Sequence, residues 1–305
     1  MPRLRKPRAL APGGTVAVVA PASAVDAASL AAGEAAWRAA GFRVKRRDDV
    51  LARHRYLAGD DVRRADELTC MARDPEVGAL VCARGGYGSP RIAGRLDAAV
   101  FREARKPLVG YSDITTLLLW QRRHAGLVGF HGPMLERAKG PEASELHALI
   151  EMLTGTEGIP VVRLGTSGRG RRVEGRLVGG SLSMVVGSLG TPWEPDMRGA
   201  ILLLEDRGER PYRIDRMLQQ LRDAGVLERA VGVGLGAFSE CLEPAGGATV
   251  DEVLDEWLDA SGLPWVKGLP FGHGRPNLPW PLGARAALDG ERGELHILER
   301  GVARR

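Results

Sequence analysis

The chain has 305 residues, 44% hydrophobic and 27% charged, a globular composition that excludes a fibre or a disordered polymer and is long enough to bury a core without disulfide or metal staples. Its net charge of +5 permits an anionic partner. The arginines are nevertheless scattered, as at Arg43, Arg63–Arg64 and Arg171–Arg172, with acids close by and aromatics at only 5%, so no nucleic-acid-binding face is expected.

The first 23 residues are basic and then apolar, but the apolar run Val16 to Ala20 ends at Pro21 and no run reaches membrane length. Residues 15–20 form a short β-branched run between Gly13-Gly14 and Pro21, which predicts a buried parallel strand. Asp26 is placed to cap a helix over 27–40, and Gly41 to end it. A strand at 42–44, a helix at 60–73 closed by Asp74-Pro75, and a buried strand at 77–83 follow. A short strand at 107–110, a helix at 113–124 and a strand at 127–130 complete this half. Strands spaced by helices predict a doubly wound parallel sheet over residues 1–138.

Residues 139–175 carry a helix at 142–153 and then two polar, glycine-rich stretches, and are expected to link two domains. Residues 176–305 read as a smaller α/β domain. Its elements are strands at 200–204 and 231–238, helices at 212–224 and 250–260, and a hairpin around Asp289-Gly290. The run Gly232-Val233-Gly234-Leu235-Gly236 resembles a dinucleotide fingerprint in letters only, since no helix opens at its end. Cys70, Cys82 and Cys241 are far apart and odd in number, which speaks against a disulfide framework and a zinc site. Neither a metal nor a cofactor is expected, and the default location is the cytoplasm.

Four segments have chemical potential. Gly110-Tyr111-Ser112-Asp113 puts a serine where a strand turns into a helix, either as a nucleophile elbow or as a plain helix cap. Arg84-Gly85-Gly86-Tyr87-Gly88 follows the preceding strand, either as an anion-stabilising loop or as a tight turn. An apolar strand ends in Glu205-Asp206, and His273 stands between Gly272 and Gly274. His131 follows a strand and could approach the same region, whereas Cys82, a rival nucleophile by type, lies inside its strand.

Together with Val18-Val19-Ala20-Pro21-Ala22-Ser23, His131-Gly132-Pro133-Met134, Gly179-Gly180-Ser181-Leu182 and Gly190-Thr191-Pro192-Trp193, these segments stand in the order found in one family. The chain resembles the LD-carboxypeptidase family of serine peptidases over nearly its whole length. Ser181 departs from it, standing where the family often has asparagine.

The resemblance implies a flavodoxin- or amidotransferase-like first domain carrying Ser112 as nucleophile. Glu205 and His273 would come from the second domain, as orienter and general base. Backbone N–H groups of Asp113 and Gly86 (or Gly85) would form the oxyanion hole, and Arg84 is the nearest candidate for a substrate carboxylate. The implied reaction releases D-alanine from cytoplasmic murein tetrapeptide in cell-wall recycling, by a homodimer with no membrane or nucleic-acid partner. The alternatives are a peptidase for microcin-like peptide–nucleotide toxins, with Trp193 or Trp280 stacking the base, and a non-catalytic two-lobed binding module.

Overall fold

The computed structural model describes residues 4–243 and 246–303. The chain forms two compact units. Among the described residues, the first holds 4–157, 278–282 and 300–303; the second, smaller one holds 158–243, 246–277 and 283–299.

In the first unit, β1 (Thr15–Val19) is buried at all five positions, as a strand covered on both faces must be. Asp26 caps α1 (Ala27–Ala39) by accepting from Ser29 N at 2.8 Å, and β2 (Arg43–Lys45) follows. Asp60 does the same for α2 (Asp61–Arg73), through Arg63 N. Next come β3 (Val77–Cys82), the short helices α3 (Ser89–Ala93) and α4 (Ala98–Ala104), and β4 (Leu108–Gly110). The helix expected over 113–124 is a 3-10 turn at Ser112–Ile114, then α5 (Thr115–Trp120), then a wider π turn at Gln121–Ala125. After it come β5 (Gly129–His131) and α6 (Ala143–Thr154).

These strands pair in parallel in the order β2-β1-β3-β4-β5. The order reverses between β1 and β3. In open parallel sheets of this kind, ligands bind outside the carboxyl ends of the strands flanking such a reversal. The loops after β1 (Ala20 to Ala24) and β3 (Ala83 to Gly88) therefore meet at the position the topology favours for chemistry.

The second unit contains β6 (Val161–Leu164), β7 (Ser167–Arg169), β8 (Val173–Ser181), α7 (Leu182–Gly187) and β9 (Ala200–Arg207). It continues through α8 (Pro211–Asp223), α9 (Val226–Arg229), β10 (Ala230–Ser239), α10 (Val250–Ser261) and β11 (Trp265–Lys267). Here β8, β9, β10 and β11 are parallel. The hairpin β13 (Arg285–Asp289) and β14 (Glu294–Ile297) extends one edge antiparallel. Gly232, Gly234 and Gly236 are interior to β10. A Cβ on Gly234 would stand 2.9 Å from Leu269 Cδ1, so these glycines serve close packing.

The expected division at 139–175 needs correction. Of that stretch, α6 packs in the first unit, with Leu149 and Leu153 buried, while β6 and β7 are the two outermost strands of the second unit's sheet. Polar edge strands are readily taken for a linker, because one face of each is solvated. The boundary drawn at 176–305 also shifts. A strand β12 (Trp280–Leu282) pairs antiparallel with β5, and its Trp280 and Leu282 are buried in the first unit, as is Val302.

Candidate active site

In the first unit, β4 ends at Gly110 and the chain turns at Ser112, whose φ is +61°. A residue with a side chain pays strain in this left-handed region, and such outliers concentrate where a site demands them. Gly110 makes the turn tight: a Cβ there would stand 2.7 Å from Ile114 Cγ2. Gly110 stands where G-x-S-x-G turns carry their first glycine, and Ile114 where they carry the second. Ser112 is half-buried, and the turn it opens carries no side-chain capping bond. The helix-cap reading is thus set aside.

The loop after β3 packs on this turn. A Cβ on Gly85 would lie 2.9 Å from Ser112 Cβ and 3.2 Å from its Oγ. Only glycine lets the backbone come so near the hydroxyl. Ser23 ties the loop from the other side: its N–H donates to the Gly85 carbonyl at 3.1 Å, and its Oγ accepts from Tyr87 N at 3.0 Å. Gly86 has φ +93°. Arg84 is exposed and donates to the Ala24 carbonyl at 3.2 Å. The Asp113 carboxyl is 1% exposed and accepts from Ser89 N at 2.8 Å. Burial pushes its pKa up, against the pull of the Ser89 bonds.

In the second unit, Glu205 lies inside β9 and is fully buried. Its Oε2 accepts from His273 N at 3.1 Å and pairs with His273 Nδ1 at 2.7 Å. Gly272 has φ +99°, and a Cβ there would come 2.6 to 2.7 Å from Glu205 atoms, so the histidine loop closes on the carboxylate only through a glycine. Asn277 Oδ1 accepts from Gly272 N at 2.9 Å and is fully buried. Burial opposes charge on His273, but the Glu205 hydrogen bond and the Glu205 and Asp206 charges oppose burial, and the net shift is upward.

Asp206 points elsewhere. It accepts from Ser183 N at 2.7 Å and from Ser181 Oγ at 3.4 Å, anchoring the start of α7, and from Arg207 N at 2.7 Å. Burial raises its pKa to about 6.

Of three other sequence candidates, one borders the serine turn and two do not. His131, fully buried on β5, pairs with Gly110 and has its ring 5.7 Å from that of Tyr111, and it is stacked on Trp280 with ring centroids 5.0 Å apart. That stack occupies Trp280, which is 2% exposed and is not available to a nucleobase. Cys82 is fully buried in β3, and burial pushes its thiol pKa well up. Among the described residues, no three His, Cys, Asp or Glu side chains come together where a metal ion could be held. None of the helices in the described residues is long and apolar enough to cross a membrane. Sequence reasoning passed over Asn277, although a short amide after Arg275-Pro276 is a common loop fastener. It also passed over Ser23 as the support of the glycine loop.

A doubly wound sheet with a serine on its elbow, and a second unit with a carboxylate–imidazole pair, supply the parts a hydrolase of the serine type uses. The family models for the LD-carboxypeptidase N-terminal and C-terminal domains match residues 16–132 and 174–288, and the chain belongs to the LD-carboxypeptidase family. It is 35% identical over 294 residues to the murein tetrapeptide carboxypeptidase of Pseudomonas aeruginosa, covering 92% of this chain and 94% of the relative. The crystal structure of muramoyltetrapeptide carboxypeptidase from Oxalobacter formigenes superposes with a TM-score of 0.84 at 32% identity, covering 92% and 97% of the two chains. The microcin C7 self-immunity protein of Escherichia coli is more distant, at 28% identity over 278 residues and 80% of each chain.

Proposed function

We propose that this chain is a serine carboxypeptidase that releases the terminal D-alanine of murein tetrapeptide by hydrolysing an L,D-amide bond, in the cytoplasm and as a homodimer, during cell-wall recycling. The observation that carries the reading is the Glu205–His273 pair. Nδ1 is bound to a buried carboxylate, which fixes the imidazole tautomer and assigns Nε2 to the proton chemistry.

In the proposed reaction His273 Nε2 takes the Ser112 hydroxyl proton while Oγ attacks the scissile carbonyl. The Asp113 N–H and the N–H of Gly86 or Gly85 stabilise the oxyanion. His273 then gives its proton to the departing amine, and D-alanine leaves. Water, deprotonated by His273, hydrolyses the resulting ester and restores Ser112. Arg84, exposed on the glycine loop, is proposed to hold the free carboxylate that marks a chain end.

The test is incubation with murein tri-, tetra- and pentapeptides and with a peptide–nucleotide conjugate, products being read by mass. The tetrapeptide is expected to lose one alanine and the tripeptide to stay intact. Cleavage of the conjugate alone would favour the self-immunity reading that the Escherichia coli relative supports.

A further inference from the structure

The side chains of Arg64 and Asp113 take no part in the chemistry outlined above, yet both are buried ionisable groups against the glycine loop. Arg64 is fully buried in α2. It donates to the Gly88 carbonyl at 2.8 Å and the Pro21 carbonyl at 2.7 Å, and pairs with Asp61. A Cβ on Gly88, where φ is +134°, would meet Leu57 Cδ2 at 2.7 Å and crowd the Arg64 guanidinium. The next N–H along the chain, that of Ser89, donates to the Asp113 carboxylate at 2.8 Å. The far end of the loop is thus fastened twice within two residues. One of those fasteners is the residue immediately after Ser112.

We infer that the Asp113 carboxylate and the Arg64 guanidinium are positioning residues that set the glycine loop against the serine turn, so that the loop N–H groups meet the oxyanion. The inference rests on Ser112 being the nucleophile. A carboxylate attached to the nucleophile's own turn makes the two loops move as one. Because the loop packs so near the serine turn that even a Cβ on Gly85 would stand 2.9 Å from Ser112 Cβ, a shift of about 1 Å would misalign the donors and lower turnover. Substrate affinity would change little, because the affected contacts strengthen only in the transition state.

The experiment is steady-state kinetics on murein tetrapeptide with amide exchange of the loop followed in parallel. Asp113→Ala is expected to lower kcat by about 10- to 100-fold, less than deleting an oxyanion donor costs at its most severe, with KM within about threefold. Exchange at Tyr87 and Ser89 N–H should quicken. Asp113→Asn, whose amide oxygen can still accept from Ser89, should recover most of the loss. Arg64→Lys, which shortens the side chain and removes the guanidinium that donates to both carbonyls, should reproduce the kcat defect from the opposite side and serves where the alanine variant does not fold. The inference is overturned if the alanine variant keeps wild-type kcat and slow exchange, or if the asparagine variant is as impaired as alanine. Activity surviving in Ser112→Ala would instead sink the nucleophile assignment, while loop exchange would still report whether the fastening exists.

Discussion

Glu205 and Asp206 are neighbours on β9, and strand alternation sends them to opposite faces: one reaches His273, the other the start of α7. Glu205→Gln should therefore lower kcat/KM by about 10³- to 10⁴-fold with the fold retained. Asp206→Asn, which keeps one acceptor for two N–H donors, should cost far less activity and show mainly in melting temperature. Equal losses in the two variants would contradict this division of roles. The pH profile follows from the same pair. Since the His273 pKa is raised, the acid limb of kcat/KM should lie above the ordinary histidine value of about 6.5, and Glu205→Gln should move it down. The linkage sign is opposite for stability. A raised histidine pKa stabilises the fold below its unfolded value, and that contribution is lost as pH rises through the folded pKa. Asp206, raised to about 6, also favours its protonated form in the folded state, so its contribution too fades as pH rises through 6. Thermal unfolding between pH 5 and 8 should show stability declining as activity climbs.

Ser112 and His273 each depend on a glycine in their own turn or loop, Gly110 and Gly272. Gly272→Ala would put a Cβ 2.6 to 2.7 Å from Glu205 at a φ that alanine avoids. It should reduce kcat by at least about tenfold while circular dichroism stays native; an active variant would show that the histidine loop tolerates another path. Cys82→Ala, which trims a buried thiol in β3, should keep its activity, and a dead variant would revive the cysteine as nucleophile. The buried strands and α1 and α2 were legible from apolar runs, the capping Asp26 and the Asp74-Pro75 stop, because those signals are local. So was the strand-to-helix turn at Ser112. What stayed hidden was set by partners distant in sequence. The strained φ of Ser112 depends on packing of the turn, the partner of Asp206 lies on α7, and the fastening by Asn277 appears only once Gly272 has folded over Glu205. The short helices α3 and α4 show too few turns for a period to be read.

On the scale of the whole chain, sequence order and spatial order part company. The second unit was expected as one continuous stretch, but β12 and the C-terminal residues belong to the first. Three-residue strands such as Trp280–Leu282 are set by tertiary pairing more than by their own pattern. The eight motifs in family order remained readable, because each is a short run of neighbouring residues that does not depend on where the rest of the chain folds. A triad activates its own nucleophile, so exhaustive chelation should leave full activity, and loss restored by zinc or magnesium would contradict the mechanism. The central claim is that Ser112 is the nucleophile, and its most direct measurement is D-alanine release from murein tetrapeptide by Ser112→Ala, with folding checked by circular dichroism. Turnover reduced by at least about 10³-fold in a folded protein is the predicted result, and a variant that keeps a tenth or more of wild-type turnover would contradict it.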